Sequence, residues 1–180
     1  MEPLSLWVDA FRAEVNVQGD QAACRDLRAR CGFAFVKRPL AAAGGLAAAC
    51  GFSTPHIDVS DIQALGPLAS KWLLFPLEKR EGNAFLGRLS VGRATNCDVV
   101  LRFVFVSKLQ GHVTLEGDTP TSYIDYGGPN PARLNGVPVA AKETRTLAAG
   151  DLLAIGPLTL ELVAPDALAA LIVSMASERA

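Results

Sequence analysis

The sequence predicts a mainly β domain, either a sandwich or a barrel, behind a helical N-terminal segment. From Lys71 to Val163, short apolar runs are interrupted every few residues by Gly, Pro, Asn or Asp. Within several runs apolar and polar residues alternate, as at Leu158, Leu160 and Leu162, and this period of two indicates strands buried on one face. No helical pattern interleaves with these runs, which argues against an α/β enzyme fold.

The predicted strands of this part are Trp72–Leu77, Leu86–Val91, Asp98–Leu101, His112–Leu115, Ser122–Asp125, Thr144–Leu147, Leu152–Ile155 and Leu158–Val163. Asn135-Gly136 is a strong hairpin signal, because both residues tolerate positive φ, and Gly117-Asp118 predicts a second turn. His112 is expected on the exposed face of its strand, opposite Val113. After Pro165, apolar residues at helical spacing predict a closing helix.

The first seventy residues predict a helical extension of unknown role. After Ser5, a candidate N-cap, apolar residues recur at helical spacing, and Gly19 ends this pattern. Asp20 can cap a second helix that stops at Gly32, and a short strand is expected at Phe33–Val36. We therefore divide the chain into a helical segment 1–70, a β domain 71–164 and a C-terminal helix or tail 165–180.

The rest of this extension is less regular. The Ala- and Gly-rich segment from Leu40 to Gly51 fits a helix or a packed loop equally well. Ser60-Asp61-Ile62-Gln63 has the form of a capping box, which predicts a short helix. The pattern does not indicate what this part of the chain does.

Composition fits one ordinary domain with an extension. The chain has 180 residues, 50% of them hydrophobic, and a formal net charge of −1. This near-neutral charge argues against a nucleic-acid or membrane-surface protein, which usually has a basic excess. The N-terminus lacks the basic segment of a signal peptide and carries the charged residues Asp9 and Arg12, which argues against a signal peptide. The stretch from Pro39 to Pro55 is too short for a membrane-spanning helix. We expect a cytoplasmic protein.

The cysteines and histidines do not predict a metal site or a catalytic centre. The four cysteines include no Cys-x-x-Cys pair, whereas zinc ligands are usually paired roughly two to four residues apart. Cys50 and His56 can be read as a thiol nucleophile and its base. Nothing in the sequence supplies the third group or the oxyanion donors of such a site. We expect no enzyme activity, no metal and no cofactor.

Polar motifs stand at the ends of the predicted strands, where loops cluster. In chain order they are Val91-Gly92-Arg93, Cys97-Asp98-Val99-Val100, Val106-Ser107-Lys108-Leu109-Gln110, Asp125-Tyr126-Gly127-Gly128-Pro129-Asn130, Asn135-Gly136 and Gly150-Asp151-Leu152-Leu153-Ala154-Ile155-Gly156. Each piece alone is unspecific, but their order and spacing together are specific. The series resembles the forkhead-associated (FHA) domain of bacterial proteins, over roughly residues 72–163.

This resemblance implies an FHA-like β-sandwich of two antiparallel sheets, a non-catalytic module that binds phosphothreonine peptides. Carried over to this chain, Arg93 would be the main phosphate ligand and Ser107 would donate its hydroxyl to a phosphate oxygen. Lys108 stands where a second basic or polar contact is usual. Asn130 would clamp the peptide backbone beside the phosphothreonine.

The chain departs from the family pattern around Ser107. The family histidine that braces the binding loops is Gln110 here, which questions the rigidity of the loops, although glutamine still donates and accepts hydrogen bonds. The family arginine is Lys108, which keeps the charge but loses the planar fork.

The chain also departs from the pattern around Asn130. Gly128 replaces a serine, and Pro129 offers no backbone N–H. Pro131 restricts Asn130 to extended conformations. The binding motif is therefore partly degenerate, with Arg93 and Ser107 retained.

Three hypotheses follow. The first is a signalling adaptor that docks onto a threonine-phosphorylated protein, such as a Ser/Thr kinase or its substrate, and has no nucleic-acid or membrane partner. The second is a phospho-independent protein-protein scaffold, which Gln110, Pro129 and Pro131 motivate. The third is a hydrolase built on Cys50 and His56.

Overall fold

Two β-sheets pack face to face in the structure, a computed structural model that describes residues 2–39 and 65–178. All eight strands predicted after residue 71 are present, and so is the strand predicted at Phe33–Val36, with ends that differ from the prediction by at most three residues. In chain order, the strands of the described residues are β1 (Glu2–Pro3), β2 (Ala34–Lys37), β3 (Leu73–Pro76), β4 (Arg88–Gly92), β5 (Val99–Val100), β6 (Gly111–Glu116), β7 (Thr119–Asp125), β8 (Arg133–Leu134), β9 (Val137–Pro138), β10 (Thr144–Thr146), β11 (Leu152–Ile155) and β12 (Leu158–Val163).

The two sheets form the predicted sandwich. Among the described strands, one sheet has the order β1-β3-β2-β12-β11-β8-β9 and the other the order β10-β7-β6-β4-β5. Every pair is antiparallel except β4 and β5, which run parallel. Fully buried side chains of both sheets, such as Phe35, Leu89, Val113 and Leu153, fill the space between them. The sandwich therefore has one continuous apolar core.

A layer of three helices covers the outer face of the larger sheet. They are α1 (Leu4–Gln18), α2 (Asp20–Arg30) and α3 (Pro165–Ser177). Their apolar faces meet the outward side chains of β2 and β3, and this second core contains Val8, Leu27, Val36, Leu74 and Ile172. The predicted closing helix is thus confirmed, and it packs beside the N-terminal helices.

The helix starts differ slightly from the prediction. Helix α1 begins at Leu4 with Pro3 as its N-cap, so Ser5 lies inside the first turn. The reason is that β1 pairs with β3 up to Pro3, and the chain enters the helix directly from this strand. Asp20 is the first residue of α2 and not its cap, since Gly19 occupies that position. An acid in the first turn still favours the helix through the dipole.

The first seventy residues also supply a strand in the interior of the larger sheet. Strand β2 lies between β3 and β12, and it pairs with both: Phe35 is opposite Phe75 on one side and Leu162 on the other. All of its residues are buried. The segment before residue 71 is therefore more than a helical extension, because it joins β3 to the rest of its sheet.

The two predicted turns are confirmed. Asn135 (φ 52°) and Gly136 (φ 80°) form the tight turn between β8 and β9.

His112 is buried and does not lie on an exposed face, contrary to the sequence prediction. It is only 6% exposed, and its Nδ1 lies 2.7 Å from the Tyr126 hydroxyl. The Tyr126 ring packs against the imidazole on the outer face of the sheet, so this face is partly covered. Burial, with a smaller effect of Arg88, lowers the pKa of His112.

Some predictions fall outside the described residues. These are the undecided segment 40–51, the capping box 60–63, and the pair Cys50 and His56. Within the described ranges, no group of His, Cys, Asp and Glu side chains is arranged to hold a metal ion. In the same ranges, no helix is both long and apolar enough to cross a membrane.

Lys37 is a buried cation at the end of β2. It is 2% exposed, and its ammonium donates hydrogen bonds to the carbonyl oxygens of Arg38 (2.9 Å), Ala69 (2.9 Å) and Lys71 (3.1 Å). Burial lowers the pKa of Lys37 from 10.5 to about 8. The lysine therefore ties the chain before β3 to the sheet, but its charged form is disfavoured in the folded state.

The stability contributed by Lys37 should depend on pH. Between pH 8 and 10.5 the folded protein has released a proton that the unfolded chain still binds, so the free energy of unfolding should rise with pH. We expect the difference between the wild type and Lys37→Met, measured by urea unfolding, to grow in favour of the wild type across this window. Lys71→Met, at an exposed lysine, is the control. A difference that stays constant with pH would contradict the prediction.

Candidate functional site

The topology of the smaller sheet brings the predicted site residues to one end of the sandwich. Strands β4 and β6 are antiparallel, and so are β6 and β7. The end of β4, the start of β6 and the end of β7 therefore lie at the same edge. Arg93 follows β4, Ser107 and Lys108 precede β6, and Asn130 follows β7. We call these three segments the binding loops.

The Arg93 and Ser107 loops are joined through their backbones. The Arg93 N–H donates to the Ser107 carbonyl at 2.9 Å, and the Ala94 N–H donates to the Lys108 carbonyl at 3.0 Å. A Cβ at Gly92 would lie 2.4 Å from the Lys108 carbonyl oxygen. Only glycine permits this approach, which explains the glycine of the Gly-Arg pair.

The Arg93 side chain is exposed but oriented. Its Nε–H donates to the Val106 carbonyl at 3.1 Å. Its two terminal amino groups form no hydrogen bond and no ion pair within the part of the chain that the structure describes. Arginine therefore presents a free, planar pair of donors at the edge of the binding loops.

The buried side chain of Gln110 connects the loop of Ser107 to the loop of Asn130. It is 1% exposed, and its Oε1 accepts from the Ser107 N–H at 3.1 Å. Its Nε2 donates to Asp125 Oδ2 at 2.9 Å and to the Asn130 carbonyl at 3.1 Å. The glutamine thus bonds to both neighbouring loops, in the place where the family pattern has a histidine.

Asp125 is, with Gln110, a buried polar residue to which the binding loops are bonded. Its position in the sequence motif did not predict that it would accept these hydrogen bonds. It is 0% exposed, and besides Gln110 its carboxylate accepts from the N–H groups of Gly127 (2.7 Å) and Ala132 (3.0 Å). The Tyr123 hydroxyl also donates to it at 3.4 Å. Burial first, and then the Asp125 charge, raise the pKa of Tyr123 well above its ordinary value, so the phenol keeps its proton.

The Asn130 side chain is partly engaged inside the protein. Its Nδ2 donates to the Phe105 carbonyl at 3.0 Å, and its backbone carbonyl accepts from Gln110. Its Oδ1 has no hydrogen-bond partner among the described residues. The amide therefore holds two loops together through Nδ2, and its Oδ1 is not used in these bonds.

Ser107 and Gly128 meet where two binding loops touch. The Ser107 hydroxyl has no hydrogen-bond partner among the described residues. A Cβ at Gly128 would lie 2.3 Å from Ser107 Oγ, so a side chain there would displace the hydroxyl. The glycine that replaces the family serine is therefore matched to the present position of Ser107.

Lys108 differs from Arg93 in that only its backbone is fixed. Its carbonyl accepts from the Ala94 N–H at 3.0 Å and from Cys97 Sγ at 3.4 Å. Its side chain is exposed, and its ammonium forms no hydrogen bond or ion pair within the described ranges. Lys108 adds positive charge to the loops without a defined geometry.

Asp98 anchors the loop that carries Arg93. Its carboxylate accepts from the Arg80 N–H (2.9 Å) and from the N–H and the hydroxyl of Ser90 (both 2.7 Å). Burial pushes the pKa of Asp98 up, but these hydrogen bonds outweigh burial and hold the pKa below its ordinary value. The carboxylate is thus a satisfied structural anion, and in the part of the chain that the structure describes it forms no ion pair with the cations of the binding loops.

Removal of the Gln110 side chain should loosen the site. Gln110→Ala leaves the Asn130 carbonyl and the Ser107 N–H without partners and removes a donor from Asp125. We expect a loss of about 1–3 kcal/mol in the free energy of unfolding, measured with urea. Gln21→Ala, at an exposed position of α2, should change it by less than about 0.5 kcal/mol. Equal effects of the two changes would contradict the bracing role.

Comparisons with known proteins agree with this architecture. Residues 89–156 match the family model of the FHA domain. No curated protein sequence is similar enough to count as a relative. Among solved structures, the N-terminal FHA domain of S. cerevisiae Rad53p in complex with a phosphothreonine peptide is 20% identical, with a TM-score of 0.44, over 55% of this chain and 90% of that chain.

Two bacterial structures are similar to a comparable degree. The FHA domain of a Chlamydia trachomatis protein is 17% identical, with a TM-score of 0.44, over 73% of this chain and 97% of that chain. The FHA-2 domain of a Mycobacterium tuberculosis ABC transporter is 22% identical, with a TM-score of 0.36, over 47% of this chain and 81% of that chain. The match to the FHA family model runs from β4 to β11 and includes the binding loops between them.

Proposed function

We propose that this chain is a cytoplasmic signalling adaptor of the bacterial type, which binds a threonine-phosphorylated segment of another protein. A Ser/Thr kinase or a kinase substrate is the partner we propose. FHA domains are phosphothreonine-peptide binding modules and not enzymes. The observation that carries the proposal is that adjoining loops present donors with no partner among the described residues: the terminal amino groups of Arg93 and the hydroxyl of Ser107.

The chemistry of these donors suits a phosphate. A phosphothreonine carries about −1.5 to −2 charges and three strong acceptor oxygens. The two amino groups of Arg93 can bind two of these oxygens at once, since the guanidinium fork matches their geometry. The Ser107 hydroxyl donates to the third, and the Lys108 ammonium contributes attraction at longer range.

The remaining peptide contact falls to Asn130. Its Oδ1 can accept a hydrogen bond from a peptide N–H, while Nδ2 keeps its bond to Phe105. Pro129 offers no backbone N–H to the peptide, so the contact at this point is left to the side chain of Asn130. Asn130 can therefore bind the peptide through Oδ1 while its Nδ2 keeps the loop in place.

Loss of Arg93 should abolish most of the phosphate-dependent affinity. Fluorescence anisotropy with a degenerate phosphothreonine peptide library should show binding that the unphosphorylated library lacks. Each charge-assisted bond contributes about 1.5–3 kcal/mol, so Arg93→Ala should weaken binding about ten- to a hundredfold or more. Arg28→Ala, at an exposed arginine of α2, is the matched control and should leave binding unchanged.

Two outcomes would overturn this proposal. The first is no binding by any phosphothreonine peptide at any concentration tested. The second is partner capture that is equal for phosphorylated and unphosphorylated forms and insensitive to Arg93→Ala. The second outcome would establish the phospho-independent scaffold instead.

Restoring the serine of the family pattern at Gly128 should weaken binding. The new side chain of Gly128→Ser would collide with Ser107 Oγ and turn the hydroxyl away from its present position. Loss of one bond to a charged group predicts about tenfold weaker phosphopeptide binding with little loss of stability. Gly32→Ser, where a side chain meets open space, is the control. Unchanged affinity of Gly128→Ser would show that Ser107 does not contact the phosphate.

A further inference from the structure

A cavity of about 450 Å³ lies at one side of the sandwich, where β3 of the larger sheet meets β5, the last strand of the smaller sheet. Phe75, Pro76, Val99 and Val100 form its apolar wall, and Pro76 and Val100 are half-buried. Its volume lies within the range of small-molecule sites, roughly 300–1,000 Å³. The described residues that line it include none of the side chains proposed to bind the phosphothreonine peptide. The cavity is therefore a separate feature of the surface.

Three cationic side chains line this cavity, those of Lys79, Arg80 and Arg102. All three are exposed, and none of them forms an ion pair within the part of the chain that the structure describes. Like charges that share one cavity repel each other, and a bound anion relieves this repulsion. The lining of the cavity thus favours an anionic ligand.

Lys79 and Arg80 are held by backbone carbonyl groups and not by carboxylates. The Lys79 ammonium donates hydrogen bonds to the carbonyl oxygens of Phe85 and Arg88. Arg80 Nη1 donates to the Cys97 carbonyl at 3.2 Å, and Arg80 Nε and Nη2 have no partner among the described residues. These bonds fix the two cations without neutralising them. Arg80 keeps two adjacent donors, the arrangement that binds two oxygens of one phosphate.

Two carboxylates, those of Asp98 and Glu78, also line the cavity. Asp98 is buried and accepts from the Arg80 N–H at 2.9 Å and from the N–H and hydroxyl of Ser90, so its oxygens are already used by the protein. Glu78 is exposed and forms no hydrogen bond or ion pair in the described ranges. The lining keeps a positive excess, and Glu78 is the exposed charge in it that opposes an anion.

We propose that this cavity binds a small phosphate ester, with its phosphate among Lys79, Arg80 and Arg102. Arg80 Nε and Nη2 bind two oxygens of the phosphate. Arg102, whose guanidinium has no hydrogen bond among the described residues, binds from the other side, and the organic group lies against Pro76 and Val100. This site goes beyond the proposed function, because it holds a second ligand and requires no phosphothreonine peptide.

Titration calorimetry of the full chain with inorganic pyrophosphate tests this site. All measurements use Arg93→Ala protein, so that the proposed phosphothreonine site does not contribute to the signal. We expect one pyrophosphate bound per chain. A further change, Arg102→Ala, should weaken binding about tenfold or more through loss of bonds to a charged group, and it removes no internal hydrogen bond. Glu78→Gln should strengthen binding, because it removes a like charge from the cavity.

Arg28→Ala, at an exposed arginine of α2, is the matched control and should leave pyrophosphate binding unchanged. Three results would overturn this inference: no binding at millimolar pyrophosphate, equal effects of Arg102→Ala and Arg28→Ala, or weaker binding by Glu78→Gln. None of them bears on phosphothreonine binding, which is measured with Arg93 intact. Failure of the second site is therefore distinguishable from failure of the proposed function.

Discussion

The carboxylate of Asp125 is completely buried, and the binding loops are arranged around it. A buried carboxylate that lacks partners costs several kcal/mol, so the fold must supply donors to it. Two of these donors are the N–H groups of Gly127 and Ala132, which stand at the two ends of the segment that contains Asn130. One anion therefore fixes both ends of this loop. The need to satisfy Asp125 determines where Asn130 lies.

Gln110 extends this arrangement to the neighbouring loop. Its amide has two hydrogens and one acceptor, and all are used: by Asp125, by the Asn130 carbonyl and by the Ser107 N–H. The sequence suggested that loss of the family histidine removes rigidity, but the glutamine connects the loops through three hydrogen bonds. A buried amide that is fully paired stabilises such a network without introducing a second charge beside Asp125.

Local signals predicted much of the fold, whereas long-range pairing was not accessible from the sequence. Asn135-Gly136 identified its hairpin because a tight turn requires positive φ at both residues. Antiparallel order then placed Arg93 and Ser107 at one end. The position of β2 between β3 and β12 depends on pairing across more than a hundred residues, which no local pattern encodes. His112 was misplaced because alternation indicates which face a residue is on, but not that Tyr126 covers it.

Arg93 and Lys108 both carry positive charge, but only the Arg93 side chain is held in a defined orientation. Arg93 bonds to the protein through Nε, and its terminal amino groups have no partner among the described residues, so its orientation is set without a ligand. Such preorganisation lowers the conformational entropy lost on binding. Lys108 has a fixed backbone and an unrestrained ammonium, and it provides attraction without direction. In the proposed site, exchange of the family arginine for this lysine would remove a directed contact while it preserves the positive field, and the directional requirement would fall on Arg93 and Ser107.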